Sequence, residues 1–301
     1  MVSFHSHEGF LMNKIFLSLI AISLIFLGSC SKGTEKPCEV LVSIPPYLYF
    51  IEALTGGQVQ TTSLVPSGAN PHIYEATPKQ VQQAQQAKVW IRLNENFEVK
   101  IAQSLKEQNK DLITLNLADS PQIPYLYEGH VCSSCSHHHA ADSKDPHIWL
   151  SLRLAKIQAN LIAEILIQAF PNKKDLIEKN LLILQGRFSH ADSLFTEKLS
   201  PYKNDSILVS HPAFGYFCRD YSIKQISIEL EGKDPLPRQL TSILTLAKTT
   251  PIRTVLTQVQ YNNKGAELIA KQLHLPIHEV DPYSPNYMQN LEQLVQDIVE
   301  P

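Results

Sequence analysis

The chain has 301 residues, enough for two ordinary domains, because a single hydrophobic core usually stops growing below that size. Its 26 basic and 29 acidic side chains give a formal net charge of −3, which argues against a nucleic-acid-binding surface. Hydrophobic residues make up 44% and charged residues 18%, which excludes a disordered chain, and five cysteines are too few for a disulfide-built scaffold. The composition therefore predicts a globular two-domain protein in which twelve histidines are the unusual feature.

The amino-terminal segment has the order of a secretory signal. A lysine precedes a run of 13 apolar residues, 15–27, which is shorter than the roughly 20 residues that span a bilayer. Small residues then lead into Cys30, a sequence that resembles the lipobox of bacterial lipoproteins. We therefore expect a signal peptide over 1–29 with its true start at Met12, and a polar tether over 30–37 that begins with the lipidated Cys30. An ordinary signal peptide with an incidental cysteine is the alternative.

Short β-rich runs alternate with helix-length segments along the rest of the chain. The predicted strands are residues 40–44, 59–65, 88–93 and 112–117 in the first half, and 206–210, 223–228, 253–259 and 277–280 in the second half. The segments with helical spacing between them include 78–87, 97–108, 236–250, 263–273 and 286–299. Alternation of this kind indicates βαβ units and parallel sheets. The chain is therefore predicted to form two α/β domains.

Two helices, over 150–169 and 172–199, are predicted to join the halves. The second has one apolar stripe, formed by Ile177, Leu181, Leu184, Phe188, Ala191, Phe195 and Leu199. At 1.5 Å per residue a continuous helix of this length would reach about 40 Å, which favours a strut that crosses both domains. Two shorter helices broken near Gly186 are the alternative. The predicted divisions are an amino-terminal domain over 38–171, a linking helix over 172–200 and a carboxyl-terminal domain over 201–301.

Four polar residues stand at positions typical of a ligand site. They are His72, His147, His211 and Asp281. Three of them lie just past the carboxyl end of a predicted strand, where open α/β sheets place their ligands, and each half of the chain supplies two. Imidazole and carboxylate together suit borderline divalent metals, with Asp145 a candidate to hold the second ring nitrogen of His147. Taken singly, however, a loop histidine is more often a surface or hydrogen-bonded residue, so position alone leaves a metal site open.

The segments around these four residues resemble the metal-specific substrate-binding lipoproteins of bacterial zinc and manganese ABC importers. The matching segments are residues 70–78, 145–151, 210–223, 228–240 and 279–291. The resemblance covers 38–299 in order, and it implies two (β/α)₄ domains with parallel sheets, bridged by one long helix. It also implies that a metal ion is bound in the cleft between the domains. The ligands carried over from the family are His72, His147, His211 and Asp281.

The resemblance also implies what the protein does. It would capture a metal ion with high affinity outside the cytoplasm, anchored to a membrane through acylated Cys30, and deliver it as a monomer to the permease of a metal ABC importer. Three imidazoles and one carboxylate favour Zn²⁺, since Mn²⁺ prefers more oxygen ligands, and transport of Mn²⁺ or Fe²⁺ is the alternative. A mononuclear zinc hydrolase is disfavoured because four protein ligands would close the site, so no enzyme is expected. Surface adhesion is a further alternative that is compatible with transport.

A stretch rich in cysteine and histidine lies between the first two predicted ligands. Its candidate metal-binding residues are Cys132, Cys135, His137, His138 and His139. The stretch resembles the histidine-rich loop of many zinc-preferring members, and we favour a flexible loop that binds zinc weakly and passes it to the cleft. A solvated loop with a disulfide between the two cysteines, or a site of two thiolates and two imidazoles, are the alternatives. The remaining cysteines, Cys38 and Cys218, are expected to be buried or unpaired.

Overall fold

The structure is a computed structural model that describes residues 38–126, 144–229, 237–247 and 249–301. The predicted signal peptide over 1–29 and the tether over 30–37, which begins with Cys30, lie outside the described residues. The same holds for Cys132, Cys135, His137, His138 and His139. The predictions for these residues therefore stay predictions.

In the described residues, the first half of the chain forms a parallel sheet in the order β2-β1-β3-β4. Its strands are β1 (Val40–Val42), β2 (Thr61–Ser63), β3 (Val89–Arg92) and β4 (Ile113–Asn116), and its helices are α1 (Pro46–Thr55), α2 (Pro78–Ala84) and α3 (Asn96–Gln108). Strand β1 pairs with a neighbour on each side, and its three residues, Val-Leu-Val, are all buried. An apolar sequence is expected there, because a parallel strand that is covered on both faces buries every side chain.

The second half repeats this arrangement, with a parallel sheet in the order β6-β5-β7-β8. Its strands are β5 (Ser206–Val209), β6 (Lys224–Ser227), β7 (Ile252–Gln258) and β8 (Ile277–Val280). Its helices are α6 (Gly215–Tyr221), α7 (Pro237–Ala247), α8 (Lys264–Leu273) and α9 (Tyr287–Val299). Two parallel α/β domains are thus confirmed, and every strand predicted from the sequence is present in the described residues.

Two helices connect the sheets, α4 (Leu152–Ala169) and α5 (Lys174–Leu199). Helix α5 is continuous over 26 residues and passes through Gly186 without a break, so the long strut is confirmed. The predicted stripe is its buried face, with Leu181 half-buried and the other six members buried. This face packs against α4, against α1 of the first half and against α9 of the second. None of the described helices is long and apolar enough to cross a membrane.

One hydrophobic core runs through both halves of the described chain. At its centre, the rings of Phe50 on α1, Phe188 on α5 and Tyr287 on α9 lie in mutual contact, with centroids 5.2–6.0 Å apart. The same buried cluster includes β1 in the first sheet and Val209 in the second. Because close-packed interiors deform little, a shared core favours small movements between the two sheets.

The shared core predicts that truncating Phe188 destabilises the whole protein. Phe188→Ala should lower the free energy of unfolding by about 3–5 kcal/mol, because it removes a ring at the junction of three helices and leaves a cavity. Leu182→Ala on the same helix, where the side chain is 76% exposed, should change it by less than about 0.5 kcal/mol. Urea denaturation measures both values, and equal effects would contradict a core centred on Phe188.

Candidate metal centre

Three of the four predicted residues meet between the two sheets. His72, His147 and His211 each offer a ring nitrogen, and these atoms all lie within 4.8 Å of one another. The imidazole centroids are 5.1–5.4 Å apart. His147 is buried, while the side chains of His72 and His211 are 27% and 12% exposed. The first half of the chain supplies two of these imidazoles and the second half supplies the third.

Short local hydrogen bonds set the backbone at each histidine. The Asn70 side chain accepts from the His72 amide at 3.0 Å, which caps the 3₁₀ turn Pro71–Ile73. The Asp145 carboxylate accepts from the His147 amide at 2.9 Å. His211 lies two residues past the end of β5, and its carbonyl accepts from the side-chain amide of Gln258 on β7 at 2.6 Å. These contacts direct the imidazoles into the space between the sheets.

Each imidazole has a carboxylate at its Nδ1 atom. The pairs are His72 with Glu95 at 3.1 Å, His147 with Asp145 at 2.7 Å, and His211 with Glu229 at 2.9 Å. A carboxylate at this position favours the tautomer in which Nδ1 carries the proton and Nε2 presents a lone pair. This is the arrangement that orients histidines as metal ligands. The predicted role of Asp145 agrees with this geometry, whereas sequence reasoning missed the other two carboxylates.

Glu98 builds the turn that carries Glu95. Its wholly buried carboxylate accepts from the amides of Leu93, Asn94 and Glu95 at 2.6–3.1 Å and from Arg92 Nε at 3.2 Å. Burial raises the pKa of Glu98, and the hydrogen bond from Leu93 and the charge of Arg92 lower it in part. This network fixes the entry to α3 in a capping box and thereby sets the position of the carboxylate that faces His72.

The imidazole of His211 is kept neutral. Burial lowers its pKa well below the ordinary value, and the neighbouring His147 and His72 lower it further. Its Nε2 atom is buried and has no hydrogen-bond partner among the described residues. The ring of Tyr261 stacks on the imidazole at 4.4 Å, with 11° between the two planes. A buried lone pair that converges with two others fits a divalent metal, which would satisfy all three.

Asp281 lies outside the cluster of ligand atoms found among the described residues. Its Oδ1 accepts from Gln260 Nε2 at 2.5 Å and from the Tyr283 amide at 3.0 Å. The Tyr283 hydroxyl, which sequence reasoning also missed, lies 3.3 Å from Nε2 of both His72 and His147. Burial raises the pKa of Tyr283 well above its usual value, so its hydroxyl is a neutral donor.

Hydrogen bonds to the second half hold the segment around His147, although it belongs to the first half of the sequence. They run from Tyr216 Oη to the Asp145 carbonyl (2.9 Å), from Trp149 Nε1 to the Pro282 carbonyl (2.8 Å), from Tyr287 Oη to the Trp149 carbonyl (2.5 Å), and from Ser151 Oγ to Asp220. His72 is held instead by Asn70 and Glu95, which belong to the first half. Hydrogen bonds to the second half therefore hold the segment of His147, and His211 itself belongs to that half. His72 is carried by a loop of the first half.

Comparison with known proteins shows which families and structures this chain resembles. The profile of the family named ZnuA, the periplasmic component A of a zinc-uptake complex, matches residues 40–301. A Chlamydia muridarum protein named "Putative metal-binding protein" is 29% identical over 283 residues, which cover 93% of this chain and 96% of that protein. The zinc-binding lipoprotein AdcA of Streptococcus pneumoniae is 26% identical over 90% of this chain and 55% of AdcA. A crystal structure of ZnuA matches with a TM-score of 0.79 and 30% identity, over 88% of this chain and 98% of that one.

The pairing of Glu95 with His72 predicts a loss of metal affinity when the carboxylate is removed. Glu95→Gln should weaken Zn²⁺ binding about 10- to 100-fold, since a neutral amide orients the imidazole less strictly and makes it a weaker ligand. Glu75→Gln is the matched control, because that side chain is 75% exposed and pairs with Lys100. Competition with a chromogenic chelator measures both affinities. A Glu95→Gln protein that binds as tightly as the control would contradict the pairing.

Proposed function

The chain belongs to the ZnuA family, and we propose that within it this protein captures Zn²⁺ and delivers it to the permease of an ABC importer. Members of this family are the substrate-binding components of such importers, so the protein is not an enzyme. The proposed ligands are the Nε2 atoms of His72, His147 and His211, with Asp281 as the fourth. Transport of Mn²⁺ or Fe²⁺ by the same class of importer is the competing proposal.

The convergence of three imidazoles carries this proposal. Their ligand atoms lie within 4.8 Å of one another, and a carboxylate faces each Nδ1. Burying a polar atom without a partner costs about 1–3 kcal/mol, so Nε2 of His211, which is buried without a hydrogen-bond partner among the described residues, needs one. A divalent cation meets that need, and the carboxylates behind the rings add a favourable field for it.

The donor set supports zinc over manganese. Mn²⁺ prefers a larger number of oxygen ligands, whereas imidazole suits Zn²⁺. Glu95, Asp145 and Glu229 each already use one carboxylate oxygen to contact an imidazole Nδ1 atom. Asp281 uses Oδ1 for its hydrogen bonds, and its second carboxylate oxygen is the one we propose as the fourth ligand.

The location of the protein is part of the proposal. We propose that Cys30 carries the lipid anchor, that 30–37 forms the tether, and that the protein acts as a monomer outside the cytoplasm. The cysteine- and histidine-rich stretch is proposed to bind zinc weakly and pass it to the cleft. Its two flanks support this, because the Asp145 amide donates to the Leu126 carbonyl at 2.8 Å and Tyr216 contacts both residues. The described residues on either side of the stretch, Leu126 and Asp145, thus lie together, and Asp145 contacts His147.

Metal content and competitive binding test the proposed function. The protein spanning 31–301 should hold one tight Zn²⁺, and His211→Ala should weaken it at least about 100-fold because one of three imidazoles is lost. His190→Ala, which removes an exposed histidine from α5, is the matched control. Manganese held as tightly as zinc would overturn the choice of metal. No tight site in the unsubstituted protein would overturn the proposed function itself.

The hydrogen bonds around the cluster also predict where the protein moves when zinc leaves. We expect the loop of His72 to move, since Ile73 beside it is 80% exposed, while the segment of His147 is fixed to the second half. In hydrogen exchange, zinc should therefore protect residues 66–77 more than 145–151. Strand β5 is the internal reference, because its amides are buried in the sheet. Greater protection of 145–151 would contradict this release path.

A further inference from the structure

The Tyr283 hydroxyl is placed against the lone pairs that a metal would use. It lies 3.3 Å from Nε2 of His72 and 3.3 Å from Nε2 of His147, and the tyrosine is 0% exposed. The ring packs against Trp149, with centroids 5.1 Å apart, and the Tyr283 amide donates to Asp281. Packing and backbone together leave the hydroxyl little freedom to move elsewhere.

The distribution of protons makes Tyr283 the donor in both contacts. The Nδ1 atoms of His72 and His147 face carboxylates, which favours the tautomer whose Nε2 atom accepts. A tyrosine has one hydroxyl proton, which it can share between two acceptors or give to one of them. The hydroxyl therefore donates to one of these two nitrogens or shares its proton between them, and a metal bound by the same nitrogens would need the lone pairs that accept it.

The distances fit this competition. In a tetrahedral zinc site with Zn–N bonds of 2.0–2.1 Å, neighbouring ligand atoms lie about 3.3–3.4 Å apart. The hydroxyl oxygen keeps that distance from both nitrogens, which places it at the edge of the volume that the metal and its fourth ligand would fill. A neutral phenol is a weak zinc ligand beside imidazole and carboxylate, so the hydroxyl opposes the metal instead of binding it.

We propose that Tyr283 sets the metal affinity by competing with the ion for the Nε2 lone pairs of His72 and His147. The hydroxyl gives up these hydrogen bonds when metal binds and takes them back when metal leaves. After release, the hydroxyl proton again has an acceptor and at least one of the two nitrogens has a donor, which lowers the cost of giving the ion to a permease. The inference rests on the proposed function, because it needs these histidines to be ligands.

Removing the hydroxyl tests the proposal. Tyr283→Phe keeps the ring against Trp149 and should bind Zn²⁺ roughly two- to tenfold more tightly, the factor expected from loss of one competing hydrogen bond. Transfer of zinc to an excess of chelator, followed by stopped flow, should slow. Tyr221→Phe is the matched control, because its buried hydroxyl donates to Asp192 and contacts none of the three histidines. Its affinity and transfer rate should equal those of the unsubstituted protein.

A second measurement reports the hydrogen bonds themselves. In protein freed of metal by a chelator, ¹⁵N NMR of the imidazoles should show Tyr283→Phe shifting the Nε2 resonances of His72 and His147, with Tyr221→Phe shifting neither. Unchanged Nε2 resonances, or zinc binding that is equal to or weaker than that of the unsubstituted protein, would overturn the competition. Failure of the unsubstituted protein to bind zinc would instead overturn the proposed function, and this inference with it.

Discussion

The candidate site depends on one repeated interaction, a carboxylate that accepts from the Nδ1 atom of each clustered imidazole. Without it, each ring could exchange tautomers and present a proton where a lone pair is needed. The three carboxylates are supplied in different ways. Asp145 lies two residues from its histidine, Glu95 stands on a turn organised by buried Glu98, and Glu229 follows β6. Much of the structure around the cleft serves to place these three groups.

The fold supplies two kinds of support for the cluster. Parallel sheets bring the carboxyl ends of their strands to one edge, which is where the loops of His72 and His211 begin. The core that runs from α1 through α5 to α9 then holds the two edges facing each other. Because the pair formed by His147 and His211 is fixed in the second half, binding orders few groups, and little conformational entropy is lost when the ion enters.

The sequence predicted what depends on local pattern. Apolar runs and helical stripes located the strands and α5, and the position just past a strand singled out His72 and His211, whereas His147 was assigned through the family resemblance. The sequence did not predict the pairings between residues that lie far apart along the chain. Glu95 and Glu229 lie 23 and 18 residues from their histidines, and only the turn at Glu98 and the register of β6 beside β5 bring them there. The short helix α6 and helix α1 were not among the predicted helices, since neither has a long amphipathic repeat.

Asp281 and Tyr283 show why residue type and position are not enough to define a coordination sphere. Both follow β8, within two residues of each other, and position alone favoured the carboxylate. In the structure, however, the tyrosine and not the carboxylate contacts the imidazoles. Hydrogen bonds from Gln260 and the Tyr283 amide engage Asp281, while the Tyr283 side chain reaches His72 and His147. A protein that must surrender its ion gains from this arrangement. In the proposed site, three imidazoles and one carboxylate would hold the metal, and the Tyr283 hydroxyl would compete with the ion for the Nε2 lone pairs of His72 and His147.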